Sequence, residues 1–249
     1  MHDVDDLDPR LEWKLRAAAI PGALLVALAF HAWPTGHFLQ RTFLSMMIHE
    51  LGHAATGWWC GFAALPTLWK TMIPEARGLV WLIVAAGEAA LVVLGWRARR
   101  VSLAIIGLAL AALQLAAMNL PVERAHAWVI FGGDGGAMIL GTLLMASFFV
   151  PKLRDHGLRW GLLVIGAAAF VDTFATWWAA RSDTDAIPFG EIEGVGLSDP
   201  SKLTEDFGWS TSTMVHRYVT LGVVCLVALA AIYAWQVRRA HSGASSSRS

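Results

Sequence analysis

The sequence predicts an all-α integral membrane protein, a polytopic bundle of about seven transmembrane helices within a range of six to eight. Composition, segment length and the placement of tryptophan and basic residues carry that prediction. Hydrophobic residues make up 56% of the 249 and charged residues only 15%. With the 23 glycines the apolar share reaches about 65%, where soluble domains carry about 45–50%. A water-soluble globule of this size cannot hide that much apolar surface, whereas a bilayer accepts it. The 19 basic residues balance the 19 acidic ones, which argues against a nucleic-acid binder and against a disordered chain.

The elements follow from the requirement for about 20 mostly apolar residues per helical span. A polar segment, 1–14, is acidic between Asp3 and Asp8 and then basic. It has no small-residue cleavage pattern after it, so it is expected to be retained. Spans are predicted over 15–33, 41–62, 79–96, 101–118, 127–150, 159–180 and 214–236, so that a membrane domain occupies 15–236. Most of the 13 tryptophans fall near predicted helix ends, among them Trp33, Trp96, Trp160, Trp177, Trp178 and Trp235, where an amphipathic ring prefers the headgroup layer. A long extramembrane loop, 181–213, holds seven acids against two bases. Its apolar positions Ile187, Phe189 and Phe207 suggest either a solvated loop or a lid over a site. Residues 237–249 read as a disordered tail. Cys60 and Cys225 lie in or beside apolar segments and suggest neither a disulfide nor a cysteine zinc cluster.

Basic residues cluster at Arg97, Arg99 and Arg100, at Lys152, Arg154 and Arg159, and at Arg238, Arg239 and Arg248. Two spans separate each cluster from the next, so all three share one side, the cytoplasmic one. Counting back over three further spans puts the N-terminus outside, against the preference of Arg10, Lys14 and Arg16. Either it is external, or Gly61–Gly78, with two prolines and mixed polarity, adds a re-entrant or crossing element.

Within the second span, FLSMMIHELGHAATGWWCGF, three ionisable groups stand where each costs a few kcal/mol, so they ask for a reason. His49 and His53 are spaced i and i+4, one turn apart on one helix face, and can both bind one Zn2+. Glu50 follows the first histidine and can act as general base toward a metal-activated water. Chance would produce this pattern about 0.01 times in a chain of this composition. Buried polar packing between helices is the plainer alternative.

Two histidines leave zinc short of the three protein ligands of a catalytic site. The embedded carboxylates are Asp134, Glu88 and Asp172. Asp134 lies in the glycine-rich run VIFGGDGGAMILG, about 10 Å into its span. The histidine pair lies about 15 Å into its own span from the other side, so both fall near the middle of a core of about 30 Å. Glu88, in VAAGEAALVV, is the alternative third ligand or an outer partner of a histidine. Asp172 is a packing or substrate-side candidate. His31, His37, His126, His156 and His216 lie near helix ends, where solvated or capping roles suffice.

HELGHAATGWWCGF, with HExGH inside a hydrophobic helix, resembles the metal-binding helix of the site-2 protease family of intramembrane zinc metalloproteases. Asn119-Leu120-Pro121 followed by Phe131-Gly132-Gly133-Asp134-Gly135 resembles that family's Asn/Pro segment and its Asp-Gly motif. The resemblance covers about a fifth of the chain. It implies a zinc metallopeptidase in which His49, His53 and Asp134 hold Zn2+ and Glu50 is catalytic. It further implies a compact member in a bacterial inner (cytoplasmic) membrane, acting on a membrane-protein or peptide substrate in or near the bilayer. With two spans between the motif helices, these run antiparallel unless 61–78 crosses. A non-proteolytic protein using the same His/carboxylate groups for metal binding or transport is the alternative. No nucleic-acid partner is expected, and nothing in the sequence fixes an oligomeric state.

Overall fold

A computed structural model describes residues 9–153, 157–192 and 196–246. Nine α-helices occur among them: α1 (Pro9–Ala32), α2 (Pro34–Gln40), α3 (Met46–Trp59), α4 (Trp81–Arg97), α5 (Val101–Met118), α6 (Val122–Ala146), α7 (Leu158–Ala179), α8 (Asp199–Glu205) and α9 (Thr211–Ser246). Local chemistry sets the boundaries. Pro34 opens α2 at its first turn, where a missing N–H costs nothing. Gly157, at φ 65°, supplies the left-handed turn into α7. A five-residue π-helical turn, Arg41–Ser45, joins α2 to α3. Two short antiparallel ribbons complete the fold, β1 (Leu65–Pro66) with β2 (Thr71–Met72) and β3 (Glu191–Ile192) with β4 (Gly196–Leu197).

The chain divides into two units. The described residues within 1–48, 137–187 and 211–249 form the first, and those within 49–136 and 188–210 the second. In the first unit α1 and α7 run parallel. Arg159 Nη1 donates to Glu12 Oε1 at 3.3 Å near their starts, and His31 lies 3.9 Å from Asp172 near their ends. α9 runs antiparallel to α1, with Tyr233 Oη donating to Ala17 O at 2.7 Å and His241 set edge-on to Trp13 at 5.4 Å. The start of α1, the start of α7 and the end of α9 therefore share one end of this unit. Small residues let the helices approach: a Cβ on Gly166 would lie 2.7 Å from Gly141 O. Trp177 is fully buried and stacked on Tyr218 at 4.0 Å. It therefore departs from the headgroup position that its place near a helix end suggests. Trp96, Trp33 and Trp235 are exposed.

In the second unit α4 and α5 form a tight hairpin, with a Cβ on Gly95 only 2.5 Å from Ala104 N. Arg77 donates to the carbonyls of Ala117, Met118 and Leu120 at 3.2, 2.7 and 2.8 Å, satisfying the acceptors that the end of α5 leaves open. Cys60, Phe62, Ala125 and Val129 form a buried cluster on which Ile73, Ala117 and Leu120 pack. Both cysteines are free and buried. α3 and α6 are antiparallel: Gly52 meets Gly136, Thr56 meets Gly132 and Gly57 meets Val129.

Among the described residues five helices are long and apolar enough to cross a membrane: Leu11–Ala32, Val101–Met118, Val122–Phe149, Leu158–Ala179 and Thr211–Ser242. The polarity of the helices is inverted relative to a soluble protein. Ile83, Trp96, Val101 and Leu115 are exposed by 65–82%, while Glu88 and Gln114 are 5% and 4% exposed. Such an apolar exterior is suited to lipid. Two predicted spans differ. The π turn splits 41–62 and leaves α3 with 14 residues. α4 has 17, about 26 Å at 1.5 Å per residue. α9 also continues to Ser246 as helix, ten residues past the limit expected from a disordered tail. Ala, Arg and Gln between 234 and 240 are good helix formers and propagate a helix already nucleated by its apolar part. Residues 247–249, His156, Arg154 and the acidic run before Pro9 lie outside the described residues.

Candidate metal centre

The site is assembled within the second unit from α3, α6 and α8. The i, i+4 spacing places His49 and His53 on one face, with ring centroids 4.7 Å apart and planes at 89°. That face is buried, His49 and His53 being 8% and 5% exposed. Glycine makes the burial possible. A Cβ on Gly133 would lie 2.5 Å from His53 Nε2 and 2.6 Å from His49 Cε1, so any other residue there would occupy the space of the imidazoles. Gly52 on α3 presses against the carbonyls of Gly132 and Gly133, which brings the two backbones into direct contact.

Each imidazole is oriented through Nδ1. His53 Nδ1 donates to Val129 O at 2.8 Å, and His49 Nδ1 donates to Asp134 Oδ1 at 2.9 Å. A carbonyl and a carboxylate can only accept, so each Nδ1 carries a proton, and in the neutral imidazole Nε2 keeps its lone pair. Those two Nε2 atoms face each other at 3.1 Å. Asp199 Oδ2 joins them, 3.0 Å from His49 Nε2 and 2.9 Å from His53 Nε2. With both imidazoles neutral these three atoms are all acceptors, so a cation, a proton or a metal ion, must sit among them. Tetrahedral zinc with ligands at about 2.0–2.1 Å sets neighbouring ligand atoms about 3.3 Å apart. The donor set of two imidazoles and one carboxylate, each imidazole tied down through its other nitrogen, fits that ion.

Asp199 begins α8, after Ser198 and before Pro200, and its side chain is 15% exposed. Burial opposes its ionisation. With the imidazoles protonated, the charge of His53 and the hydrogen bonds from both rings outweigh that and hold its carboxyl well below the usual carboxylate range.

Glu50, 5% exposed, follows His49. Thr71 Oγ1 lies 2.7 Å from Glu50 Oε2 and 2.9 Å from Glu50 O. Thr71 stands on β2, so the hairpin within Gly61–Gly78 fixes the Glu50 side chain.

The sequence-predicted residues thus separate. His49, His53 and Asp134 come together, with Asp134 on the outer nitrogen of His49 and Asp199 on the inner one, and Glu50 is held by Thr71. Glu88 does not join them: it is buried on α4 opposite Gly107 of α5, and its Oε1 makes no hydrogen bond. Asp172 belongs to the first unit, where Arg41 and His37 bind it. Asn119 folds back onto Leu115 O of its own helix at 2.7 Å. His126 stacks on Phe62 and bonds Pro74 O. Asp199 and Thr71 were not among the predicted site residues. The only sequence signal for Asp199 is the Ser-Asp-Pro helix start inside an unusually long loop.

The chain matches no protein-family model, no curated protein and no solved structure. The resemblance to site-2 proteases therefore stands on the two motif helices.

Proposed function

We propose that the chain is an intramembrane zinc metalloendopeptidase that hydrolyses a peptide bond in or near a bacterial inner membrane. The convergence of His49 Nε2, His53 Nε2 and Asp199 Oδ2 carries this reading, with the buried Glu50 next to His49 on the same helix. His49, His53 and Asp199 are the residues that would hold Zn2+, with Asp134 and Val129 O fixing the two imidazoles. When bound, the ion supplies Lewis acidity, lowering the pKa of a water and polarising the scissile carbonyl. Glu50 takes the proton of the attacking water and delivers it to the leaving amine. Thr71 holds the Glu50 carboxylate in place between these transfers. A substrate helix must unwind before cleavage, because its carbonyls are otherwise engaged in intrahelical bonds.

We propose a membrane topology on grounds of parity. α1 and α7 are parallel, so an odd number of crossings separates them, although four helical segments, α2–α3, α4, α5 and α6, lie between. Gly78 N donates to Gly61 O at 2.8 Å, so that hairpin leaves and returns at one level and adds no crossing. We read the broken α2–α3 segment as re-entrant, and the five long apolar helices α1, α5, α6, α7 and α9, together with the shorter α4, as crossing. The N-terminus and all three basic clusters then share the cytoplasmic side. Loop 181–213, which carries Asp199, then lies outside.

Proteoliposomes offered a library of single-span transmembrane peptides test the reading. Cleavage is expected from the wild type. It should be lost in Glu50→Gln with zinc retained, and lost together with zinc in His53→Ala. An active Glu50→Gln protein removes the assigned base. Zinc flux abolished by His49→Ala, with no cleavage by the wild type, establishes transport instead.

A further inference from the structure

The geometry points to a second divalent transition-metal site in the first unit, formed by His31, His37 and Asp172. The three residues come from α1, α2 and α7, and their ligand-capable atoms lie within 4.8 Å of one another. His37 Nε2 is 2.8 Å from Asp172 Oδ1, and His31 Nδ1 is 3.9 Å from the same oxygen. These distances bracket the roughly 3.3 Å between neighbouring ligands of a tetrahedral ion. The two imidazole centroids are 4.4 Å apart.

Two features separate this cluster from an ordinary ion pair. Asp172 is completely buried within a long apolar helix, where a carboxylate is expensive unless something recovers the cost. His31 Nδ1 is buried, faces that carboxylate, and makes no hydrogen bond. A ring nitrogen so placed has an unused lone pair or an unused proton. A cation between His31, His37 and Asp172 satisfies it.

Arg41 Nη1 donates to Asp172 Oδ2 at 2.9 Å and leaves Oδ1 turned to the histidines. Hydrogen bonding to the far oxygen is the usual way a ligand carboxylate is oriented, and the Arg41 side chain is 34% exposed. On binding, the proton shared between His37 Nε2 and Oδ1 leaves to water and the ion takes its place. Two imidazoles and one carboxylate select a borderline ion, Zn2+, Co2+, Ni2+ or Cu2+, over Mg2+ or Ca2+. His37 is 39% exposed on its side chain, which leaves a path for the ion and a fourth position for water. Bound there, the ion ties α1, α2 and α7 together at the end of the first unit opposite Glu12 and Arg159.

The test uses the full chain in detergent with His49→Ala and His53→Ala both present, so that the other centre cannot contribute. Co2+ is the probe, read by its visible d–d bands and by metal content per chain. One equivalent of Co2+ with the intense bands of a tetrahedral ion is expected. It should be lost in His37→Ala and in His31→Ala while the melting temperature measured without metal stays within a few degrees of the parent. Asp172→Asn, which keeps the shape, should also lose it. Absence of a stoichiometric Co2+ equivalent in the folded parent overturns the site and leaves an Arg41–Asp172–His37 ion network. Bands that survive His37→Ala overturn it as well. Because both histidines of the first centre are absent from the start, failure here leaves the peptidase reading intact, and the reverse holds too.

Discussion

Removing Asp199 should cost more zinc affinity than removing Asp134, although the Asp-Gly resemblance implies the reverse. Asp199 Oδ2 sits within 3.0 Å of both Nε2 atoms, whereas Asp134 bonds the outer nitrogen of His49. Binding of a four-ligand zinc is worth about 10–16 kcal/mol, so one ligand among four carries about 3 kcal/mol. Asp199→Ala is therefore expected to weaken binding a few hundred-fold. An outer partner costs about 10–100-fold when lost, and Asp134→Ala belongs in that range. Competition with a chromophoric chelator in detergent, run beside a thermal melt to confirm folding, gives both constants. The order of the two variants decides the assignment. If Asp134→Ala abolishes binding while Asp199→Ala keeps it within tenfold, Asp134 is the ligand and α8 covers the centre without holding the ion.

Gly133→Ala should lose zinc while retaining helix content by circular dichroism, because its Cβ would lie 2.5 Å from His53 Nε2; full metal loading would show that the imidazoles can move aside. Thr71→Val removes the hydrogen bond to Glu50 Oε2. A bond to a charged group is worth about 1.5–3 kcal/mol, so kcat should fall about 10–100-fold with zinc content unchanged, and an unaltered rate would remove Thr71 from the site. Topology reporters fused after residue 246 and within 1–8 should both read cytoplasmic, and one inserted at Phe189 external; opposite sides for the two ends would break the parity argument.

How much of this was legible in the sequence depended on the range of the interaction. The His49–His53 face follows from helical periodicity alone, because the partners are four residues apart. The polarity of the long helices follows from composition, because each buries or exposes itself residue by residue. Asp134 could be matched to His49 by counting along the two helices, but which ring nitrogen it meets could not, since two atoms of one imidazole cannot be told apart by spacing. Asp199 lies 150 residues from His49 in a loop with no period, and Thr71 reaches Glu50 through a hairpin whose strands are two residues long. The π turn at Arg41–Ser45 leaves hydropathy untouched, so a broken segment reads as one span.

Thr56 and Gly132 carry a consequence for how this chain can vary. The Thr56 hydroxyl donates back to Gly52 O at 2.9 Å, and its Oγ1 and Cβ fill the notch that a side chain on Gly132 would need. The two positions thus share one volume. Enlarging residue 132 is compatible with the helix contact only if residue 56 shrinks, so related chains should exchange bulk between these positions as a pair, holding the sum constant while either residue alone drifts.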